Sequence, residues 1–120
     1  MRILVVEDNP LISQAIERAG GQSRLTTDTA TDGWDAIQKL ESEAYDAIVI
    51  DADLPRHSGF GVLTYLREEV GDELDNVIVM TSSDRDEVRR KLTGRVEVIG
   101  KSDEAELQRA VRAICAVASE

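Results

Sequence analysis

The stretch Ala47-Ile48-Val49-Ile50-Asp51-Ala52-Asp53 decides the fold. Four apolar residues run without a polar break and end on a carboxylate. Strict alternation would mark a strand with one wet face. A continuous run marks a strand covered on both faces, as in a parallel sheet. The pattern recurs outward in both directions. Ile3-Leu4-Val5-Val6 ends on Glu7-Asp8, and Val77-Ile78-Val79-Met80 ends on Thr81-Ser82. Val96, Val98 and Ile99 mark a weaker strand ahead of Lys101. A further strand near residues 23–29 has Leu25 as its one large apolar residue and is expected at an edge.

Between these runs the apolar spacing changes to the helical period. Leu11, Ile12, Ala15, Ile16 and Ala19 form one stripe, closed by Gly20-Gly21. Trp34, Ile37, Leu40 and Ala44 form a second, opened by Thr31 or Asp32. Val62, Leu63, Leu66 and Val70 form a third, closed by Gly71. Asp84 with Glu87 resembles a capping box for a short fourth helix, anchored by Val88 and Leu92. Leu107, Val111, Ile114 and Ala118 form the last, with Ser102 or Asp103 as cap. The order is strand then helix, repeated five times. It implies an α/β doubly wound fold with right-handed crossovers and helices on both faces of a five-stranded parallel sheet. The expected strand order is the flavodoxin-like 2-1-3-4-5.

The 120 residues suit one domain spanning 1–120, with no output domain after the last helix. Fourteen Lys and Arg against 24 Asp and Glu give 14 − 24 = −10, a charge that repels nucleic acid. Cys115 is the single cysteine, so an intramolecular disulfide is excluded, and its apolar helical setting suits a packing thiol. No apolar run approaches the roughly 20 residues of a membrane span. The segment Met1–Val6 turns acidic at once and lacks a cleavage site. A soluble, cytoplasmic protein is expected.

In sheets of this kind ligands bind outside the carboxyl ends of the strands. Glu7, Asp8, Asp51, Thr81, Ser82 and Lys101 all stand there. Carboxylates converging on one edge repel each other, and a hard divalent cation relieves the conflict. Mg²⁺ takes oxygen ligands, needs only one or two carboxylates, and readily adds phosphate oxygens. The cluster therefore reads as an open Mg²⁺ site with room for a phosphoryl group. Singly, these residues also suit loop or capping roles: Asp8-Asn9-Pro10 is a good helix start.

The same residues carry a family resemblance that covers the whole chain. Val5-Val6-Glu7-Asp8-Asn9, Asp51-Ala52-Asp53-Leu54-Pro55-Arg56-His57-Ser58-Gly59, Val79-Met80-Thr81-Ser82 and Lys101 resemble, in order, the motifs of response-regulator receiver domains. The resemblance implies a phosphorylation switch of two-component systems rather than an enzyme, catalysing only its own phosphorylation and dephosphorylation. Asp51 would accept phosphate from a histidine kinase or a histidine phosphotransfer protein. Asp8 and Asp51 would hold Mg²⁺ together with the backbone carbonyl of Asp53, and Glu7 would act through a metal-bound water. Thr81 would hydrogen-bond a phosphoryl oxygen, Lys101 would pair with the phosphate, and the backbone near Ala52 and Ser82 would donate to it. A monomer or weak dimer is expected, with neither nucleic acid nor membrane as partner.

The chain departs from the family pattern in three places. Ser102 follows Lys101 where proline is usual; a cis bond to serine would cost about 3 kcal/mol, so trans is expected. Val98 stands where an aromatic residue usually rotates. The segment from Thr81 to Lys101 is short and lacks the usual Gly-Ala pair, which bears on the alignment of Lys101.

Other residues receive plainer readings. His57 is read as a solvated loop residue and Trp34 as partial core. Asp53 could place a carboxylate near the phosphate or simply face solvent. Arg85, Arg89, Arg90, Lys91 and Arg95 crowd against only Asp86 and Glu87. They form either a solvated helix face or a docking patch for an acidic partner. Three rivals remain. A pseudo-receiver would bind partners without phosphorylation. A haloacid-dehalogenase-type phosphatase is suggested by Asp51-Ala52-Asp53 and opposed by Pro55. A flavin carrier is opposed by the acidic Glu7-Asp8 loop.

Overall fold

A computed structural model describes residues 2–7, 9–20, 26–53, 77–82, 85–91, 97–100 and 104–118, at residues 91 and 114–118 by their backbone alone. The strands are β1 (Arg2–Val6), β2 (Thr26–Ala30), β3 (Ala47–Asp51), β4 (Val77–Thr81) and β5 (Glu97–Gly100). All neighbours pair in parallel, in the order β2-β1-β3-β4-β5. Among the described residues the helices are α1 (Pro10–Gly20), α2 (Gly33–Ser42), α3 (Arg85–Lys91) and α4 (Glu104–Ala118). The stripe from Val62 to Val70 lies outside the described residues, so α3 corresponds to the fourth helix of the sequence pattern.

The continuous apolar runs are explained by a core on each face of the sheet. Side chains alternate across a strand. Leu4, Val6, Ile48, Ile50, Val77, Val79 and Val98 therefore point one way, against Ala36 of α2 and Val88 of α3. Ile3, Val5, Val49, Ile78, Met80 and Ile99 point the other way, against Ala15 and Ile16 of α1 and Leu107 and Val111 of α4. β3 and β4 are buried at every position, as central strands must be, whereas β2 is polar and mostly accessible, as an edge strand can be.

Helix starts follow local chemistry. The Asn9 side chain accepts the Leu11 amide at 3.0 Å, which caps α1 ahead of Pro10. Asp32 rather than Thr31 caps α2, accepting the Asp35 amide at 2.8 Å. Three apolar readings need correction. Trp34 is 57% exposed and is not core, because the buried face of α2 runs through Gly33 and Ala36. Ala44 lies beyond the end of α2 and is exposed. Leu11, in the first stripe, is also exposed.

Candidate functional site

The carboxyl edge of the sheet gathers the polar residues that the core excludes. Val6 pairs with Ile50, so Glu7 and Asp51 are the next residues along two adjacent strands. By strand alternation they project to the same side. Both carboxylates are buried, Glu7 at 2% exposed and Asp51 at 1%. The Glu7 amide donates to the Ala30 carbonyl at 2.9 Å, which holds Glu7 to the sheet beyond the end of β1. Glu7 Oε1 in turn accepts the Asn9 amide at 3.2 Å. Thr81 ends β4 and is 1% exposed.

Beyond Asp51 the chain turns back over the site. The Ala52 amide donates to the Met80 carbonyl at 2.9 Å and extends the β3–β4 pairing by one rung. The Asp53 amide donates to Asp51 Oδ1 at 2.8 Å. The Asp53 side chain then crosses to β4. Its Oδ1 accepts the Thr81 hydroxyl at 3.0 Å, and its Oδ2 accepts both the amide and the hydroxyl of Ser82 at 2.7 Å each. Asp53 is exposed, yet it is committed to these groups rather than merely facing solvent.

The donor set suits Mg²⁺. Two buried carboxylates lie side by side at neighbouring strand ends, and hard oxygen ligands are what this cation takes. Among the described residues no three metal-ligating side chains converge. Asp8, the third carboxylate of the expected set, lies outside them, as do Lys101, Ser102 and His57.

α3 is tied to the end of β5 on the same side of the molecule. Arg85 pairs with Glu106 of α4. The other oxygen of Glu106 accepts the Gly100 amide at 3.4 Å. The Arg85 guanidinium passes so close to Gly100 that a side-chain carbon there would stand 2.8 Å from Nη2. Arg89 reaches the Val98 carbonyl at 3.3 Å and the Asp86 carboxylate at 3.2 Å. Arg90 Nε donates to the Asp86 carbonyl at 3.2 Å. Arg95 and the Lys91 side chain lie outside the described residues. Val98 is buried in the cluster that contains Val88, directly beneath α3.

Sequence reading did not find the Arg85–Glu106–Gly100 arrangement. Its members come from three elements, and no local pattern announces an ion pair between them.

Residues 3–112 match the model of the response regulator receiver domain. The chain belongs to that family. It is 34% identical over 94 residues to the response regulator MprA of Mycobacterium ulcerans, covering 78% of this chain and 39% of that protein. It is 41% identical over 69 residues to the transcriptional regulatory protein TcrA of Mycobacterium tuberculosis, covering 58% of this chain and 27% of that protein. The matched region thus spans well under half the length of these relatives. Among solved structures, the chain resembles the receiver domain of a sensor histidine kinase from Pseudomonas aeruginosa with magnesium coordinated in its active-site cleft. That match has TM-score 0.74 and 28% identity, and covers 96% of this chain and 97% of that one. It also resembles the response regulator TrrA of Thermotoga maritima in complex with Mg²⁺ and a beryllium fluoride, with TM-score 0.74, 28% identity, and coverage of 94% and 97%. The receiver fold and the place in two-component signalling follow. Membership also sets aside the phosphatase and flavin-carrier readings.

Proposed function

We propose that this receiver is a phosphorylation switch whose phosphoacceptor is Asp51. One observation carries the reading: a buried carboxylate ends the central strand β3, beside a second buried carboxylate just past the end of β1 and a buried hydroxyl at the end of β4. Burying a carboxylate is costly unless its charge has a task or a partner. Asp51 and Glu7 stand where a strand-end ligand site belongs.

Asp8, Asp51 and the Asp53 carbonyl would hold Mg²⁺, with Glu7 acting through a bound water. The cation would supply neutralisation of charge on the equatorial phosphoryl oxygens. The chain's own part is positioning. The Asp53 amide fixes Asp51 Oδ1 at 2.8 Å and so orients the carboxylate. Thr81, Ser82 and the backbone near Ala52 would bind phosphoryl oxygens, and Lys101 would pair with the phosphate. The donor would be a phosphohistidine on a kinase or phosphotransfer protein. The cationic run that opens with α3, Arg85, Arg89, Arg90, Lys91 and Arg95 in sequence, would carry the change to a protein partner. Conserving the carboxylate edge while removing one residue tests this. With Mg²⁺ and acetyl phosphate, intact mass should show one phosphoryl group on the native chain and none on Asp51→Asn. An unmodified native chain would favour a partner-binding module that is never phosphorylated.

A further inference from the structure

The Asp53 carboxylate already engages donors that a phosphoryl group on Asp51 would need. Three of them, the Thr81 hydroxyl and the Ser82 amide and hydroxyl, converge on its two oxygens at 3.0, 2.7 and 2.7 Å. We propose that Asp53 is an internal anion occupying the Thr81–Ser82 donors in the resting protein, and that a phosphoryl group must displace it to bind there. This rests on Asp51 being the phosphoacceptor.

Occupancy is exclusive for a simple reason. A backbone amide and a hydroxyl each donate a single hydrogen. An amide aimed at Asp53 Oδ2 is not available to a phosphoryl oxygen at the same moment. Charge works in the same direction, since a carboxylate and a phosphoryl group repel at this range. Asp53 is therefore a positioning residue for the resting state. It braces the turn after β3 against the end of β4 until a stronger anion arrives. Bonds to an ionised acceptor are stronger than neutral ones, but the carboxylate is exposed and its attraction is screened. An effect of about tenfold on anion affinity follows, equivalent to about 1.4 kcal/mol.

The test is a beryllofluoride titration in excess Mg²⁺, read by calorimetry. It uses the native chain, Asp53→Ala, Asp53→Asn, Ser82→Ala and the Asp53→Ala/Ser82→Ala pair. Substituting Asp53 leaves its backbone carbonyl in place for the metal. Asp53→Ala should bind the mimic about tenfold more tightly than the native chain, with Asp53→Asn between them. In the Ser82→Ala background the gain should shrink, since one of the released donors is gone. The Ser82 amide proton of the metal-free native chain should lie downfield by NMR and move upfield in both Asp53 variants. Native affinity in a folded Asp53→Ala, or in Asp53→Asn should the alanine variant not fold, would overturn the proposal. So would a gain undiminished by Ser82→Ala, which would mean simple removal of charge. If the native chain and both Asp53 variants all fail to bind beryllofluoride, the phosphoacceptor reading itself falls, and this proposal with it.

Discussion

At the amino end of the sheet, Arg2 stands among acids and an aromatic ring. It meets Asp28 at 3.1 Å and Glu43 at 2.6 Å, and its guanidinium lies 5.6 Å from the centre of the Tyr45 ring. Tyr45 donates to Asp28 at 2.8 Å, and the Arg2 amide donates to Asp46 at 2.8 Å. At the carboxyl end, Glu7 and Asp51 are buried at the ends of neighbouring strands, Glu7 just past β1 and Asp51 closing β3. Both ends are rich in carboxylates. The first is threaded by a cation and stays partly open to water, and it reads as a structural tie between β1, β2 and the turn before β3. At the second, two of the described carboxylates come together where water is excluded. The first is a cross-tie of unlike charges, ordinary in protein architecture; the second is a pairing of carboxylates of the kind that clusters at functional sites.

Substitutions at the two ends should separate these roles. The largest effect is expected for Asp51→Asn, which should abolish labelling by acetyl phosphate, while Arg2→Ala should leave labelling at the native level by intact mass. Loss of labelling in Arg2→Ala would erase the distinction. Next comes Glu7→Gln, which removes one of two adjacent buried charges. Its metal-free form should melt higher than the native metal-free form, and its Mg²⁺ affinity should fall by about 10-fold to 100-fold, as outer-shell substitutions do. The native chain, in contrast, should gain about 3 kcal/mol, or several degrees, at a hundredfold excess of Mg²⁺ over its dissociation constant. A melting temperature indifferent to both the substitution and the metal would contradict this account.

Val98→Ala should cost about 1–2 kcal/mol by denaturant unfolding, for the lost methyls and the cavity left beneath α3, with labelling unchanged. The smallest effect belongs to the amino end. Desolvation, and then the hydrogen bond to Asp28, push the Tyr45 phenol up to about 12. A group whose ionisation is raised on folding stabilises the protein below its unfolded value, near 10, and loses that contribution as pH rises through the folded one. Tyr45→Phe should therefore flatten the alkaline limb of the stability curve between about pH 10 and 12. An unchanged limb would show that the phenol does not titrate with unfolding.

β1, β3 and β4 were legible because burial on both faces forces unbroken apolar runs; polar β2 was only roughly placed, since an edge strand need not carry one, and the strand order followed from alternating elements. Candidate positions at Glu7, Asp51, Thr81 and Ser82 were legible for the same reason, since each is the first polar residue after such a run or the one beside it. What sequence could not supply is what a side chain reaches after the chain has turned. Asp53 was equally compatible with solvent and with the site until its carboxylate met Thr81 and Ser82 across the β3–β4 gap. Arg85 read as part of a cationic run, yet it pairs with Glu106. Trp34 misled because hydrophobic residues tolerate exposure far more readily than buried charges tolerate dryness.

The polar edge strand β2 has a consequence for how copies of the chain meet. Ala30 gives its carbonyl to Glu7 and so faces β1; by alternation the Thr29 carbonyl points away from the sheet. Lys39 of α2 reaches over and donates to it. An outward carbonyl held by an ammonium group is a poor template for another chain's amides, and threonines beside an aspartate offer no apolar strip to stack upon. Strand-to-strand growth toward fibrils is disfavoured along this margin, so crowded copies are steered away from continuing one another's sheet there.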